Sequence, residues 1–435
     1  MCFFTYKFSA DIYFTFHPGT GKSLVVREVI KKLKEKHDDT TKALDPDVGC
    51  NKKVFVTAPT GMAAINIDGQ TIHSYAGIFN NYVDWKFLAN KNRNGKIGER
   101  LKRTRVLVID EISMISCHLF DKVDNLMRDI RGNQKPFGGV QVIVLGDFFQ
   151  LPPIADDEED PEGLYAFCSE GWRKTFDECF NFSEVIRQKN DRFIRVLNNM
   201  RVGKLTADDE RYIKSLSRPL NLPHGIIPVN LFSRKIDVEN MNLSFFKKIK
   251  EHEEIYVAIR DVRNNQVKLL EKCQFPMQLK LKVGAQVMLL KNKDNKHVNG
   301  STGIVIKFVE LESTDKDGRL AKRNFPVVRF RDGDELPITD ETWEIRDKHD
   351  IVLAFCRQVP LDLAWAATIH KYQGQTVDAG KINLKNGFSK GQPYVALSRV
   401  KTPECLQVLK FSPDLCKASP VVENYYIKTF GENYW

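Results

Sequence analysis

The sequence predicts an α/β fold: doubly wound parallel sheets in two α/β domains, with a small β-barrel inserted in the second. Three observations predict it. Short β-branched and aromatic runs alternate with helical patterns through the first half of the chain. The pattern restarts near residue 184. Between about 280 and 357 it changes to short strand-like runs separated by turn residues. Strands alternating with helices imply crossover connections, hence a parallel sheet with its ligands at the carboxyl ends of the strands.

Each element has its own justification. DIYFTF (11–16), KVFVTA (53–58), RVLVID (105–110) and VQVIVLGD (140–147) are continuous apolar runs, as expected of strands buried on both faces. SLVVREVIKKLKEKH (23–37) and SCHLFDKVDNLMRDIR (116–131) carry apolar residues at helical spacing, the second with Ser116 as its N-cap. DDEEDPE (156–162) reads as a solvated acidic loop. These elements place the first domain at 1–183. The second covers 184–279 and 358–435. AQVMLL, GIVIKF, FPVVRF and the turn NGSTG place the barrel at 280–357.

Composition narrows the function classes. The chain of 435 residues is 42% apolar and 28% charged, as in soluble globular proteins. It has no apolar run long enough to span a membrane. Its first residues lack the basic start and small-residue cleavage site of a secretory signal. Nine cysteines without a CxxC pair argue against a disulfide framework or a zinc site. A formal charge of +10 favours a polyanionic partner.

The chemistry is carried by FTFHPGTGKSLVV (14–26). GTGKS follows a strand and opens a helix, the context in which backbone N–H groups and the helix dipole hold phosphates. Gly19, Thr20 and Gly21 form the cradle, Lys22 reaches the β- and γ-phosphates, and Ser23 ligates Mg²⁺. Asp110 and Glu111 end another apolar strand. Asp110 is the second candidate metal ligand, and Glu111 the group that orients and deprotonates water. The alternative is an acid pair that starts a helix. In GDFFQLPPI (146–154), Gln150 is placed to sense the γ-phosphate.

Taken together these stretches resemble the superfamily 1 helicases, in the 5′-to-3′ branch that contains RecD-like enzymes and the Pif-one (petite integration frequency) family. TAPTGMAAINIDGQTIHSYAGI (57–78) is similar to motif Ia and its continuation. Residues 113–154 resemble the family signature running into motif III, and VIRQKNDRFIRVLNNMRVGK (185–204) resembles motif IV. LAWAATIHKYQGQT (363–376) and GQPYVALSRV (391–400) resemble motifs V and VI. The resemblance implies two RecA-like motor domains and an SH3-like inserted barrel. It also implies an ATP-dependent 5′-to-3′ DNA helicase of genome maintenance, acting in repair, recombination, replication or at telomeres, in the nucleus or mitochondrion. A mobile-element member is equally compatible.

The same resemblance assigns roles. Arg187 and Arg399 are the arginines that reach the γ-phosphate from the second domain, and Gly374 joins the nucleotide set. Pro59, Thr60, Gly61, His73, Ser233, Asn299, His370 and Lys371 are the DNA-binding candidates. Trp365 and Tyr372 are more safely read as core packing. The basic segment 79–104 occupies the place of a duplex-parting wedge. The implied cofactors are ATP and Mg²⁺. The implied partners are single-stranded and tailed duplex DNA, bound by a motor that is expected to be monomeric.

Phe16 departs from the pattern, which carries glycine there. A side chain at a position that wants positive φ costs about 1–3 kcal/mol, so ATP affinity is expected to fall about tenfold or more. An upstream segment with an adenine-reading glutamine is also expected and is missing. Residues 1–18 are therefore expected to replace a longer authentic start. The rival reading is a decayed paralogue that binds single-stranded DNA with little ATPase activity.

Overall fold

The structure, a computed structural model, describes residues 10–17, 19–38, 53–78, 84–153, 163–176, 178–222, 228–262, 276–291, 293–294, 296–297, 300–314, 320–330, 332–346, 352–369, 377, 379–384, 391–432 and 434. The chain divides into two compact units. One comprises Met1–Leu216, Phe388–Pro403 and Lys410–Trp435, the other Ser217–Gly387 and Glu404–Leu409.

The first unit is built on six strands: β1 (Ile12–Phe16), β2 (Val54–Ala58), β3 (Gln70–Thr71), β4 (Val106–Ile109), β5 (Gln141–Leu145) and β6 (Glu178–Phe182). All neighbours pair parallel, in the order β3-β2-β4-β5-β1-β6. The four expected strands are present. The two additions, β3 and β6, form the edges. Alternate residues feed opposite faces, as strand geometry requires. Tyr13, Leu107, Ile109, Val142 and Val144 join the core under the helix Cys117–Arg131. Phe14, Val106, Val108, Ile143 and Leu145 join the core under the helix Lys22–His37. That helix buries Val26, Val29, Ile30 and Leu33, one apolar stripe at helical spacing. Ser116 caps the Cys117 helix, accepting a bond from the Leu119 N–H.

The helix Pro420–Phe430 completes the first core. Its Tyr426 hydroxyl is 2.6 Å from Thr15 Oγ1 and 3.1 Å from Tyr13 Oη, and it accepts from the Phe148 N–H. Residues 184–216, 388–403 and 410–435 thus lie in the compact unit of the P-loop, although the sequence motifs group them with the second domain. Residues 85–92 and 96–103, in the expected wedge region, are two short helices, and Leu88, Ala89 and Leu101 reach the core.

The second unit contains a four-stranded parallel sheet. Its strands are β7 (Val229–Phe232), β18 (Ala366–Thr368), β19 (Gly380–Asn383) and β20 (Leu406–Leu409), in the order β18-β7-β19-β20. The intervening strands are β8 (Glu254–Val257), β9 (Ile259–Val262), β10 (Gln278–Leu281), β11 (Gln286–Leu289), β12 (Thr302–Thr314), β13 (Leu320–Phe330), β14 (Glu335–Pro337), β15 (Glu341–Arg346), β16 (Val352–Gln358) and β17 (Leu361–Leu363). Among the described residues they form no closed barrel. The largest sheet runs β14-β13-β12-β11-β17 and stops at both edges. The reason lies in strand length. β12 and β13 pair from Gly303↔Phe330 to Thr314↔Leu320, but β11 covers only 302–304 and β14 only 327–329. Among the described residues the far half of the ribbon has no third strand with which to close a sheet, and closure needs a continuous staggered ladder.

Candidate nucleotide site

The loop after β1 is shaped by its glycines. Gly19 and Gly21 take φ of 86° and 82°, a region in which a Cβ is strained. A Cβ on Gly19 would also lie 2.6 Å from Gln188 Oε1 and 2.9 Å from Arg187 Cβ. Thr20 closes the turn, its N–H and Oγ1 donating to the His17 carbonyl at 3.2 and 2.7 Å. Gly21 stands at the N-cap of the Lys22 helix without a side-chain cap, so first-turn N–H groups are left to other acceptors.

Phe16 does not sit at a strained turn. It is the last residue of β1, registered with Phe182 of β6, and it has no positive φ. Its ring is 1% exposed and stacks on Phe182 at 4.8 Å and 6°. The backbone cost expected at this position does not arise, because the tight turn begins at His17.

Lys22 turns its ammonium to the two acids. Nζ donates to Asp110 Oδ1 at 2.9 Å and to Glu111 Oε1. The meeting is a product of topology. β1 and β4 are parallel and separated only by β5, so the loops at their carboxyl ends emerge at one edge. Burial opposes the Lys22 charge, but Asp110 and Glu111 outweigh it and hold its pKa above the ordinary value. Asp110 is pushed up: burial is the largest cause, Lys22 opposes it, and Glu111 adds to it. Glu111 adopts left-handed backbone at φ 52°, which costs a residue with a Cβ about 1–2 kcal/mol.

Beyond β5, Gln150 Nε2 lies 3.4 Å from Asp147 Oδ2. Asp147 in turn accepts from Arg201 Nε and Nη2 at 2.9 and 2.8 Å, with both side chains fully buried. Tyr426 Oη and the Phe149 N–H donate to the same carboxylate at 3.2 and 3.1 Å. Burial raises the Asp147 pKa, but Arg201 outweighs it and leaves the group below its usual value. His17 is buried beside this pair. Burial, and then the Arg201 charge, lower it to about 3.

Arg187 and Arg399 complete the cluster within the same unit. Arg187 Nη1 donates to the Ser398 carbonyl at 3.0 Å. Arg399 is 2% exposed, with Nε donating to the Val395 carbonyl and Nη2 to Ser398 Oγ. Burial, and then the neighbouring Arg399 charge, pull Arg187 down to about 9. Burial also lowers Arg399, opposed by the charge of Glu111. Three cations therefore face two carboxylates, Asp147 being taken by Arg201. Such crowding is relieved by an anion bearing several charges.

The structure thus brings together Gly19, Thr20, Gly21, Lys22, Asp110, Glu111, Gln150, Arg187 and Arg399. Ser23 lies in the first helical turn. Pro59, Thr60 and Gly61 follow β2, where Thr60 Oγ1 caps the next helix by accepting from the Ala63 N–H. His73 is half-buried on the helix Ile72–Ala76, and Ser233 follows β7 in the second unit. Asn299, His370, Lys371, Tyr372, Gly374 and the acidic loop 156–162 lie outside the described residues. Trp365 is 6% exposed and stacks on Phe245. Sequence reading missed Asp147, Gln188 and Arg201. An acid at the carboxyl end of a buried strand was a signal for Asp147; Arg201 offered none.

A parallel sheet, a glycine loop opening a helix, an acid pair and converging arginines define a P-loop nucleotide-binding protein. Within that class the chain belongs to the PIF1-like helicase family. Residues 5–211 match the PIF1-like helicase family and residues 268–308 the DNA helicase Pif1 2B domain. The ATP-dependent DNA helicase PIF1 of Emericella nidulans is 37% identical over an alignment covering 96% of this chain and 60% of that protein. The crystal structure of Pif1 helicase from Candida albicans gives a TM-score of 0.83 at 36% identity, covering 97% of this chain and 96% of that one. The Pif1 helicase from Bacteroides in complex with ADP-AlF3 and ssDNA gives 0.68 at 28%, covering 98% and 95%. The chain spans about 60% of the length of the first curated relatives it resembles.

Proposed function

We propose that this chain is the motor core of an ATP-dependent DNA helicase that moves 5′ to 3′ on single-stranded DNA in genome maintenance. The observation that carries the reading is the convergence of Lys22, Asp110, Glu111, Arg187 and Arg399 within the P-loop unit, in a chain of the PIF1-like family. The donor set suits a nucleoside triphosphate. Backbone N–H groups at the Lys22 helix hold phosphate. Lys22 leaves its acids for the β- and γ-phosphates. Asp110, with Ser23, would hold Mg²⁺, which when bound supplies positive charge to the β- and γ-oxygens. Glu111 orients water and takes its proton as that water attacks the γ-phosphorus and the bridging oxygen leaves with the nucleoside diphosphate, and Gln150 senses the γ-phosphate. Arg187 and Arg399 stabilise the equatorial charge, a contribution of about 10³–10⁵ in rate.

In this reading the two parallel sheets are the centres of two RecA-like motor domains, and the antiparallel strands between β8 and β17 are an SH3-like insert. Pro59, Thr60, Gly61, His73, Ser233, Asn299, His370 and Lys371 are the residues proposed to contact single-stranded DNA, held by its backbone without sequence preference. Salt weakens that grip through counterion release. The nucleus and the mitochondrion are the compartments proposed. Phe16 in β1 removes the local-strain reason for expecting weak ATP binding, and with it the main argument for a decayed paralogue.

The test combines DNA-stimulated ATP turnover with strand displacement on duplexes carrying a 5′ or a 3′ tail. Turnover that rises with single-stranded DNA and displacement from the 5′ tail are expected. Turnover indifferent to DNA, or displacement from the 3′ tail alone, would overturn the reading.

A further inference from the structure

We infer that Gln188 is a positioning residue that sets both arginines against the phosphate loop. The inference rests on the proposed roles of Arg187 and Arg399. Gln188 is 2% exposed. Its Nε2 donates to the Ser398 and Val400 carbonyls, each at 3.1 Å. Those two carbonyls flank Arg399 on either side. The Ser398 carbonyl also accepts from Arg187 Nη1 at 3.0 Å. One carboxamide therefore grips the backbone around one arginine while following directly on the other.

The other end of this clamp is the loop itself. The Gly19 carbonyl accepts from the Ile186 and Arg187 N–H groups, each at 2.8 Å. Gln188 Oε1 occupies the space that a Cβ on Gly19 would need, 2.6 Å away, and that buried oxygen has no hydrogen-bond partner among the described residues. The loop, the Arg187 segment and the Arg399 segment are thus tied at one point.

The tie has a physical task. The Arg399 charge is close enough to disfavour that of Arg187, and like charges repel more strongly where water is excluded. The Arg399 guanidinium donates to neutral oxygens, the Val395 carbonyl and Ser398 Oγ, which hold it more weakly than a carboxylate would. The main-chain clamp therefore bears the repulsion and keeps both guanidinium groups aimed at one point. A misplacement of about 1 Å in such a group costs on the order of 100-fold in rate.

The experiment measures how much aluminium fluoride tightens Mg·ADP binding, with Mg·ADP alone as the folding control. The planar aluminium fluoride mimics the transferring phosphoryl group, so the tightening reads arginine placement without turnover. Gln188→Met keeps the side-chain volume and removes the amide. It is expected to lose on the order of 10- to 100-fold of the tightening while Mg·ADP affinity stays within about threefold. Gln188→Asn, which keeps an amide too short to reach both carbonyls, is expected to lose it as well. Removing both guanidinium groups with Arg187→Ala and Arg399→Ala loses the tightening, and adding Gln188→Met to that pair is expected to change little more.

Full tightening in either Gln188 variant overturns the inference, as does a wild-type chain that shows none. A further loss when Gln188→Met is added to the paired arginine substitutions overturns it too, because Gln188 would then act elsewhere. In the steady state the kcat of DNA-stimulated turnover is expected to fall with KM for ATP little changed. Failure of the helicase reading appears instead as wild-type turnover indifferent to DNA. The fluoride measurement contains no DNA, so the two failures are separable.

Discussion

Arg201→Met removes one member of a pair whose side chains are both wholly inaccessible to solvent. Methionine keeps the apolar stem that packs on Phe149 and Tyr426, whose rings lie 4.5 and 5.4 Å from the guanidinium carbon, so the lost feature is the charge. Among the described residues Asp147 then keeps the Phe149 N–H, the Tyr426 hydroxyl and a long contact to Gln150. Breaking a buried pair from one side costs about 3–5 kcal/mol. In a unit this large each kcal/mol moves the melting temperature by about 2–4 °C, so a fall of roughly 6–20 °C is expected at pH 7.

The sign of the pH dependence is a second check. In the wild type Arg201 holds Asp147 below its ordinary pKa, so the pair's stability is intact above the unfolded carboxyl value and is lost as pH falls through the folded one. In the variant only burial remains as a strong influence, the pKa rises, and the folded state takes up the proton first. The deficit therefore shrinks between about pH 7 and pH 5. Asp147→Asn added to Arg201→Met removes both charges and is expected to recover more than half of the loss. Thermal denaturation followed by circular dichroism measures all three. A single variant melting within about 2 °C of wild type at pH 7, or a double variant no better than the single, refutes the reasoning.

Phe16→Gly is expected to lose about 3–5 kcal/mol of stability, with no gain in ATP affinity, because it empties a buried site in β1; calorimetry with nucleotide titration separates this from the tighter binding that relief of a strained loop would give. Between about pH 6.5 and pH 4.5 the wild type is expected to lose about 2–3 kcal/mol through His17, whose folded pKa lies below its unfolded value, since stability falls as the unfolded chain takes up the proton. His17→Gln should retain that increment in acid melts, and a variant with the wild-type slope would place the titration elsewhere. Arg399→Ala is expected to cut DNA-stimulated kcat by about 10³-fold or more while single-stranded DNA binding, read by fluorescence anisotropy, changes little.

Much of the first sheet was legible because its strands announce themselves chemically. VFVTA, VLVI and QVIVL are runs that only a doubly covered sheet accommodates, and Val26, Val29, Ile30 and Leu33 mark one helix face. The Lys22–Asp110 meeting was legible for the same reason: parallel strands bring their carboxyl ends to one edge. β6 was not, because Glu178 and Asn181 interrupt its apolar pattern and its position depends on pairing with a strand 166 residues earlier (Ile12↔Glu178). Phe16 admits two readings, as the end of the apolar run 11–16 and as a turn residue by motif spacing; its register with Phe182 keeps it in the strand. The Asp147–Arg201 pair lies 54 residues apart, with nothing in either segment to name the other. The expected barrel followed from the short runs at 280–357, and local pattern says nothing of whether a sheet's edges meet.

Tyr426 joins β1 across 411 residues through its bond to Thr15. At about 5–20 residues per second, a ribosome takes roughly 20–80 s between adding one and the other. Throughout that interval the hydroxyls of Tyr13 and Thr15 await a ligand that has not been made, and Asp147 lacks one of its donors. Nascent chains should thus hold an unfinished nucleotide fold until Tyr426 has been added, and a message cut short upstream of the helix Pro420–Phe430 would yield a first sheet with its polar seam open, a natural target for chaperones and proteases.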